Sequence, residues 1–210
     1  MIRVALVDDH ELIRRGLREL LGESGEIRVV GEASDYASMR SMLREIECDI
    51  VIIDLNLPGR SGIEILTTLA NDGSAVRAIV LSQYPEEQYG VRALKSGAMA
   101  YLNKSVDADI IVSAIKTVAA GRKYVTPQIA QALIDSVGSR SDAPAHERLS
   151  ERELQTLRLI AGGSKLAQMA QALNLSPKTV SIYRARVLEK LGLHSNAEIA
   201  TYALRHRLID

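Results

Sequence analysis

Short apolar runs alternate with helical patterns through about the first 121 residues of this 210-residue chain. The apolar runs span residues 2–7, 29–32, 50–53, 78–81 and 99–102, and the helical patterns span residues 10–22, 35–46, 62–71, 86–96 and 107–121. Strands that are apolar throughout, rather than at every second residue, are typical of parallel sheets covered by helices on both faces. The alternation therefore predicts an α/β domain over residues 1–124, with a doubly wound, five-stranded parallel sheet.

The remainder of the chain has a different pattern. Pro127 is placed to open a short helix, and residues 138–147 lack apolar periodicity, so residues 125–148 are predicted as a short helix followed by a flexible linker. From Leu149 the pattern is wholly helical, with helix-start signals at Ser150, which precedes Glu153 by three residues, and at Ser176. Residues 149–210 are therefore predicted as an all-α domain of four helices.

Five polar residues follow the apolar runs of the first domain: Asp8, Asp9, Asp54, Ser82 and Lys104. Because parallel strands end at one edge of a sheet, these side chains are expected to meet there. Acidic oxygens favour Mg²⁺, an aspartate can accept a phosphoryl group, and an ammonium can neutralise the transferring oxygens. Taken singly, each residue could instead be a helix cap, a turn residue or a surface charge. Together they predict a metal-assisted phosphoryl-acceptor site with Asp54 as the nucleophile.

The formal net charge of zero conceals an asymmetry along the chain. Residues 1–124 hold 15 Lys/Arg and 18 Asp/Glu, a net charge of −3, whereas residues 149–210 hold 9 and 5, a net charge of +4. This difference favours a polyanionic partner for the second domain. A single cysteine, Cys48, and the lack of a long apolar run lead us to expect a cytoplasmic protein with no membrane association.

The third helix of the second domain, residues 177–191, combines an apolar stripe with a basic face. Together with the helix before it, to which a short turn joins it, this helix forms a helix-turn-helix pattern, and it is the helix that would enter the major groove of DNA. The residues expected to contact DNA are Lys178, Thr179, Ser181, Ile182, Tyr183, Arg184, Ala185, Arg186 and Lys190. A four-helix bundle with a solvated basic face is the alternative interpretation.

Residues 1–121 resemble the receiver domain of two-component response regulators. The matching motifs are Leu6-Val7-Asp8-Asp9-His10, Asp54-Leu55-Asn56-Leu57-Pro58-Gly59, Leu81-Ser82 and Tyr101-Leu102-Asn103-Lys104. The resemblance implies a flavodoxin-like fold in which Asp54 takes a phosphoryl group from the phosphohistidine of a sensor histidine kinase. It also implies that Asp9, Asp54 and the backbone carbonyl of Asn56 ligate Mg²⁺, with Asp8 acting directly or through water.

The same resemblance assigns a switch pair. The Ser82 hydroxyl would move to the phosphoryl group, and the ring of Tyr101 would rotate inward. His10, which follows the acidic pair, is a further candidate for tuning the site.

Residues 149–210 closely resemble the LuxR-type helix-turn-helix domain. The matching motifs are Leu149-Ser150-Glu151-Arg152-Glu153, Met169-Ala170, Leu175-Ser176, Lys178-Thr179-Val180 and Glu189-Lys190-Leu191-Gly192. The resemblance implies that the last helix pairs two bound copies through Ala197, Ala200, Thr201 and Leu204, so that a homodimer would bind an inverted repeat.

Together the two resemblances indicate a NarL/FixJ-type response regulator, a transcription factor switched by phosphorylation. Its expected partners are a sensor histidine kinase, double-stranded promoter DNA, a second copy of the chain and, where it activates transcription, RNA polymerase. One alternative is a magnesium-dependent phosphohydrolase. Asn56 argues against it, because such enzymes usually need a second catalytic carboxylate at that position. Another alternative keeps the fold but binds DNA without phosphorylation.

Overall fold

The computed structural model describes residues 1–58, 60–138 and 144–209. The chain divides into two compact units, Met1–Val137 and Gly138–Asp210. The predicted domain limits at residues 124 and 149 stay predictions, and residues 139–143, half of the predicted flexible linker, lie outside the described residues.

The first unit is built on a five-stranded parallel sheet. The strands are β1 (Ile2–Val7), β2 (Ile27–Ala33), β3 (Ile50–Ile53), β4 (Arg77–Ser82) and β5 (Ala100–Asn103), in the spatial order β2-β1-β3-β4-β5. All four neighbouring pairs are parallel. This arrangement confirms the doubly wound sheet, and it puts the topological switch point between β1 and β3, beyond whose carboxyl ends ligands bind in such folds.

Helices cover both faces of this sheet. They are α1 (Glu11–Glu23), α2 (Tyr36–Glu45), α3 (Gly62–Asn71), α4 (Glu86–Lys95) and α5 (Ala108–Ala119). Two apolar cores result, one on each face. Capping boxes at Asp35 and Ser61 open α2 and α3 and fix where the preceding loops end.

The predicted short helix is present as α6 (Pro127–Gly138), which belongs to the first unit up to Val137. Its Ile129 is fully buried in the same core as Tyr89 of α4. A Cβ on Gly90 would lie 2.6 Å from two side-chain carbons of Ile129, so the missing side chain of Gly90 allows the close approach of α4 and α6. Thr126, just before α6, also donates to Glu86 of α4 at 2.6 Å.

The second unit consists of helices. A 3₁₀ helix (Ala145–Arg148) precedes α7 (Glu151–Ala161), α8 (Leu166–Ala172), α9 (Pro177–Leu191) and α10 (Asn196–Arg205), and the four α-helices confirm the prediction. The 3₁₀ helix was not predicted. Ser150 caps α7 and Ser176 caps α9, while Gly192 ends α9 in a left-handed conformation with φ of 65°. Within the part of the chain that the structure describes, no helix is long and apolar enough to cross a membrane.

Candidate functional sites

The ends of β1 and β3 bring two aspartates together. These strands are neighbours with Val7 opposite Ile53, and the Asp54 amide donates to the Val7 carbonyl at 2.9 Å. Asp8 and Asp54, each the next residue after its strand, therefore lie side by side, with only 3% and 4% of their surfaces exposed. Two buried carboxylates at one point require a compensating positive charge.

Lys104 supplies part of that charge. Its Nζ atom lies 2.5 Å from Oδ2 of Asp8 and 3.1 Å from Oδ2 of Asp54. The backbone holds it there, because the Lys104 amide donates to the carbonyl of Ser82 at 2.7 Å, which keeps the end of β5 against the end of β4. The structure thus brings together four of the five predicted polar residues, Asp8, Asp54, Ser82 and Lys104, at one edge of the sheet.

The pKa of Asp54 is raised above its ordinary value. Burial is the largest cause, and the negative charge of Asp8 acts in the same direction. The Lys104 ammonium and a hydrogen bond from the Asn56 amide act in the opposite direction without cancelling the rise. One ammonium therefore does not fully compensate the acidic group, and a further cation would favour the ionised form of Asp54.

The donor set of the pocket suits a divalent cation. Ligand atoms of Asp8, Asp9, His10 and Asp54 all lie within 4.8 Å of one another. Three of the four are carboxylates, the ligands that Mg²⁺ prefers. The fifth predicted residue, Asp9, is therefore at the pocket as well, and the Asn56 amide that donates to Asp54 places Asn56 beside it.

His10 lies beside the acidic pair, as the sequence suggested. Its Nδ1 atom is 2.8 Å from Oδ1 of Asp9 and 3.1 Å from Oδ1 of Asp8. Its amide also donates to Oδ1 of Asp8 at 2.9 Å, which closes the turn between β1 and α1.

The predicted switch residues lie behind the pocket. Ser82 is the last residue of β4, rather than the first beyond it, and is fully buried, as is Tyr101 in β5. In this structure the Tyr101 ring points inward and its hydroxyl donates to the carbonyl of Tyr84 at 2.9 Å, while the Tyr84 amide donates to the Ser82 hydroxyl at 3.3 Å. Tyr84 stacks on Tyr89 of α4, with ring centroids 4.8 Å apart. Sequence reasoning missed Tyr84, although its position two residues after Ser82 is a signal for it.

The N-terminal half of α9 presents most of the predicted DNA-contacting residues. Val180 and Val187 are buried in the core of the second unit, which turns the opposite side of the helix outward. On that side Lys178, Ser181, Ile182, Ala185 and Arg186 are exposed, whereas Thr179, Tyr183 and Arg184 are half-buried. Ile182 is 47% exposed and lies on the same side of the helix as the cations Lys178 and Arg186. An exposed apolar side chain accompanied by cations is suited to contact with a DNA groove.

Two of the predicted DNA contacts are engaged within the second unit. The Lys190 ammonium lies 2.6 Å from Oε2 of Glu153, which completes the capping box of Ser150 at the start of α7, and Arg184 donates from Nε to Oδ1 of Asn196 at 2.7 Å. Sequence periodicity alone could not show this, since both partners come from other segments of the unit.

The predicted dimerisation residues lie on α10. Ala197, Thr201 and Leu204 are exposed, with Leu204 58% exposed, and Ala200 is half-buried. The opposite side of α10 carries Ile199 and Ala203 into the core. Four small or apolar residues thus form one accessible side of this helix.

Comparison with known families follows the same division. The response regulator receiver domain matches residues 4–116, and the luxR family of bacterial regulatory proteins matches residues 147–203. The receiver match alone covers more than half of the chain. The chain is a two-component response regulator of the NarL/FixJ type. It joins a receiver domain to a LuxR-type DNA-binding domain, and its family consists of transcriptional regulators.

The relatives named here match over almost their whole length. The response regulator UvrY of Escherichia coli K12 is 39% identical over 212 residues, covering 100% of this chain and 97% of UvrY. The response regulator GacA of Pseudomonas aeruginosa is 36% identical over 212 residues, covering 100% and 99%. The structure of the RcsB response regulator of Salmonella typhimurium, studied for its conformational dynamism in DNA interaction, has a TM-score of 0.59 at 25% identity and covers 98% and 100%.

Proposed function

We propose that Asp54 is the phosphoacceptor of this response regulator and that its phosphorylation controls DNA binding through α9. The observation that carries the proposal is the position of the Lys104 ammonium, 2.5 Å from Asp8 and 3.1 Å from Asp54 in a nearly closed pocket. This position supports the proposal, because the transferring phosphoryl oxygens would carry negative charge beside a fixed positive one.

The proposed reaction is a simple displacement. A carboxylate oxygen of Asp54 attacks the phosphorus of a kinase phosphohistidine, the P–N bond breaks as the P–O bond forms, and the departing imidazole nitrogen takes up a proton. Asp54 must be ionised to attack, and Lys104 favours that form by lowering a pKa that burial raises. The Lys104 ammonium also stabilises the charge on the equatorial oxygens.

We propose Mg²⁺ as the cofactor. The carboxylates of Asp8, Asp9 and Asp54, with the carbonyl of Asn56, would hold the ion, which would neutralise charge on the phosphoryl oxygens. The clustering of the acidic ligand atoms within 4.8 Å supports this assignment.

The phosphoryl group would carry a charge of about −1.5 to −2 in place of the single negative charge of the Asp54 carboxylate. The Ser82 hydroxyl would donate a hydrogen bond to the phosphoryl group, and the Tyr101 ring would stay inward. Together these contacts would fix the segment around Tyr84 and, through the stacking of Tyr84 on Tyr89, the position of α4. The relay rests on the hydrogen bonds that join Ser82, Tyr84 and Tyr101.

The output we propose is binding of a homodimer to an inverted repeat in promoter DNA, with α9 in the major groove and α10 between the two copies. The exposed sides of α9 and α10 support these assignments. A sensor histidine kinase would be the phosphodonor, RNA polymerase a further contact, and the cytoplasm the location in which such a regulator acts.

The first test is chemical modification. Asp54→Asn should abolish labelling by acetyl phosphate in the presence of Mg²⁺, whereas Asp72→Asn, at an exposed carboxylate paired with Arg40, should label normally. An acid-stable, base-labile phosphoryl adduct retained in Asp54→Asn would refute the assignment. Steady-state turnover of a small phosphoester would favour the phosphohydrolase alternative.

The second test is DNA affinity with and without beryllofluoride, a mimic of the phosphoryl group. Tighter binding with beryllofluoride by the wild-type chain, but not by Asp54→Asn, is expected. Equal affinity under both conditions would favour DNA binding without phosphorylation.

A further inference from the structure

An arginine outside the acidic pocket holds the backbone that carries it. Arg14 lies one turn into α1, and its Nη1 atom donates to the carbonyl oxygen of Asp8 at 2.6 Å. Its side chain is only 15% exposed, so this hydrogen bond is shielded from water. No motif in the sequence distinguishes Arg14 from the other basic residues of that helix.

Glu32 in turn orients Arg14. This glutamate lies on β2 opposite Leu6 of β1, and its Oε2 atom is 3.2 Å from Nε of Arg14. Its other oxygen, Oε1, is 3.0 Å from Nη1 of Arg18, one turn further along α1. Because both carboxylate oxygens are engaged, the glutamate has one preferred orientation, and so does the guanidinium that it binds.

The Asp8 residue is therefore held at both of its backbone polar groups. Its amide donates to the carbonyl of Ala33 at 3.1 Å, and its carbonyl accepts from Arg14. Since the peptide group is planar, fixing the carbonyl oxygen of Asp8 also fixes the nitrogen and Cα atoms of Asp9. The point from which the Asp9 side chain extends therefore depends on a bond that Arg14 makes.

We propose that Arg14, aligned by Glu32, is a positioning residue that presets Asp8 and Asp9 for a divalent cation. This inference rests on the proposed Mg²⁺-dependent phosphorylation. Without the guanidinium, the turn between β1 and α1 must be ordered when the cation binds, and that ordering reduces the affinity.

Charge and positioning act in opposite directions here, which makes the test decisive. Arg14→Gln alone removes a positive charge near the pocket and would strengthen cation binding electrostatically. The double variant Arg14→Gln/Glu32→Gln leaves the net charge unchanged while it removes the contacts of Arg14 with Asp8 and Glu32 and the ion pair of Glu32 with Arg18. The matched control is Arg15→Gln/Glu19→Gln, an exposed pair on the same helix with Nε and Oε1 3.2 Å apart.

Two measurements on the full-length chain separate positioning from simple bracing. Calorimetric titration with MgCl₂ should show about tenfold weaker binding for Arg14→Gln/Glu32→Gln and no change for the control. Metal-free amide exchange should be faster at His10, whose amide bonds to Asp8, in the double variant alone. Arg14→Lys keeps the charge but loses the planar fork of donors, and it serves as the test if the double variant folds poorly. Its Mg²⁺ affinity should lie between those of the wild type and the double variant.

Unchanged Mg²⁺ affinity with a lowered melting temperature would overturn the inference and leave Arg14 as a structural brace. Unchanged exchange at His10 would overturn it as well. If the wild-type chain binds no Mg²⁺ at all, the proposed function fails, a result distinct from a difference between variants.

Discussion

Lys190 of α9 and Glu153 of α7 form an ion pair, with Nζ 2.6 Å from Oε2. The same carboxylate oxygen accepts from the Ser150 amide at 2.7 Å, so the ammonium reinforces the cap at the start of α7. The Glu153 side chain is 2% exposed, whereas Lys190 is 41% exposed. The pair therefore ties the end of α9 to α7, a role different from the DNA contact that periodicity predicted for Lys190.

Lys190→Met should lower the stability of the chain with little effect on DNA binding. The expected loss is about 1 kcal/mol, because the carboxylate keeps its Ser150 partner and the ammonium is partly solvated. Urea unfolding measures the loss, and DNA titration at several salt concentrations measures the number of phosphate contacts. If the variant lowers the salt slope as much as the loss of one phosphate contact does, Lys190 contacts DNA after all.

Arg186→Gln should give the complementary result. This residue is exposed on the outward side of α9, so its removal should weaken binding about equally on all DNA sequences and lower the salt slope by about 1. Stability in urea should stay within about 0.5 kcal/mol of wild type. DNA retardation that does not change across the salt range would contradict the proposed surface.

Glu153 should make stability depend on pH in acid. Burial alone would raise its pKa, but hydrogen bonds from Lys190 and Ser150 outweigh burial and hold the pKa below its ordinary value of 4.5. A carboxyl group whose pKa is lower in the folded state than in the unfolded state stabilises the fold at pH values above its unfolded-state pKa. This stabilisation is lost as the pH falls through the folded-state pKa. The difference in unfolding free energy between wild type and Glu153→Gln should therefore shrink below about pH 4.5. A difference that is constant from pH 7 to pH 3 would exclude this coupling.

Gly90→Ala should destabilise the first unit, although within a helix alanine is more stable than glycine by about 1 kcal/mol. The added Cβ would meet Ile129 at 2.6 Å inside a filled core. Gly16→Ala is the matched control, because a Cβ at this helical glycine would have nothing within 4 Å, and it should stabilise. Combining Gly90→Ala with Ile129→Ala should cost less than the sum of the two single changes. Strict additivity would show that α6 does not pack on α4 through Ile129.

Cys48 should react slowly with thiol reagents. Burial is the main cause that raises its pKa to about 11, and the neighbouring Asp49 adds to it. Because the thiolate is the nucleophile, reaction with a disulfide reagent at pH 8 should be roughly a hundredfold slower in the folded chain than in urea. Equal rates would mean that the start of β3 is open to solvent.

The alternation of apolar runs was sufficient to predict the sheet, because strands buried on both faces need apolar side chains throughout. It was less accurate at strand ends. The structure starts β2 at Ile27, two residues earlier than predicted, since the exposed Arg28 interrupts the apolar run without interrupting the pairing with Arg3 of β1. Ser82 likewise belongs to β4, where it pairs with Asn103.

The acidic pocket was predictable for a related reason. Once the strands are known to be parallel, their carboxyl ends coincide, and residues such as Asp8, Asp54 and Lys104 must meet. Tyr84, Arg14 and the pairing of Lys190 were not predictable in this way. Each depends on how far a side chain or a turn reaches towards another element, which periodicity does not encode.

The sequence by itself therefore determined the elements, the parallel sheet and the residues that gather at its edge, because the hydrophobic period and the alternation of strands with helices can be read locally along the chain. Only the tertiary structure decided which of those residues form ion pairs and which backbone groups are fixed by hydrogen bonds from side chains. Hydrogen bonds of 2.6 Å, such as those of Arg14 with Asp8 and of Lys190 with Glu153, depend on how the packed elements place the donor and the acceptor, which periodicity does not encode.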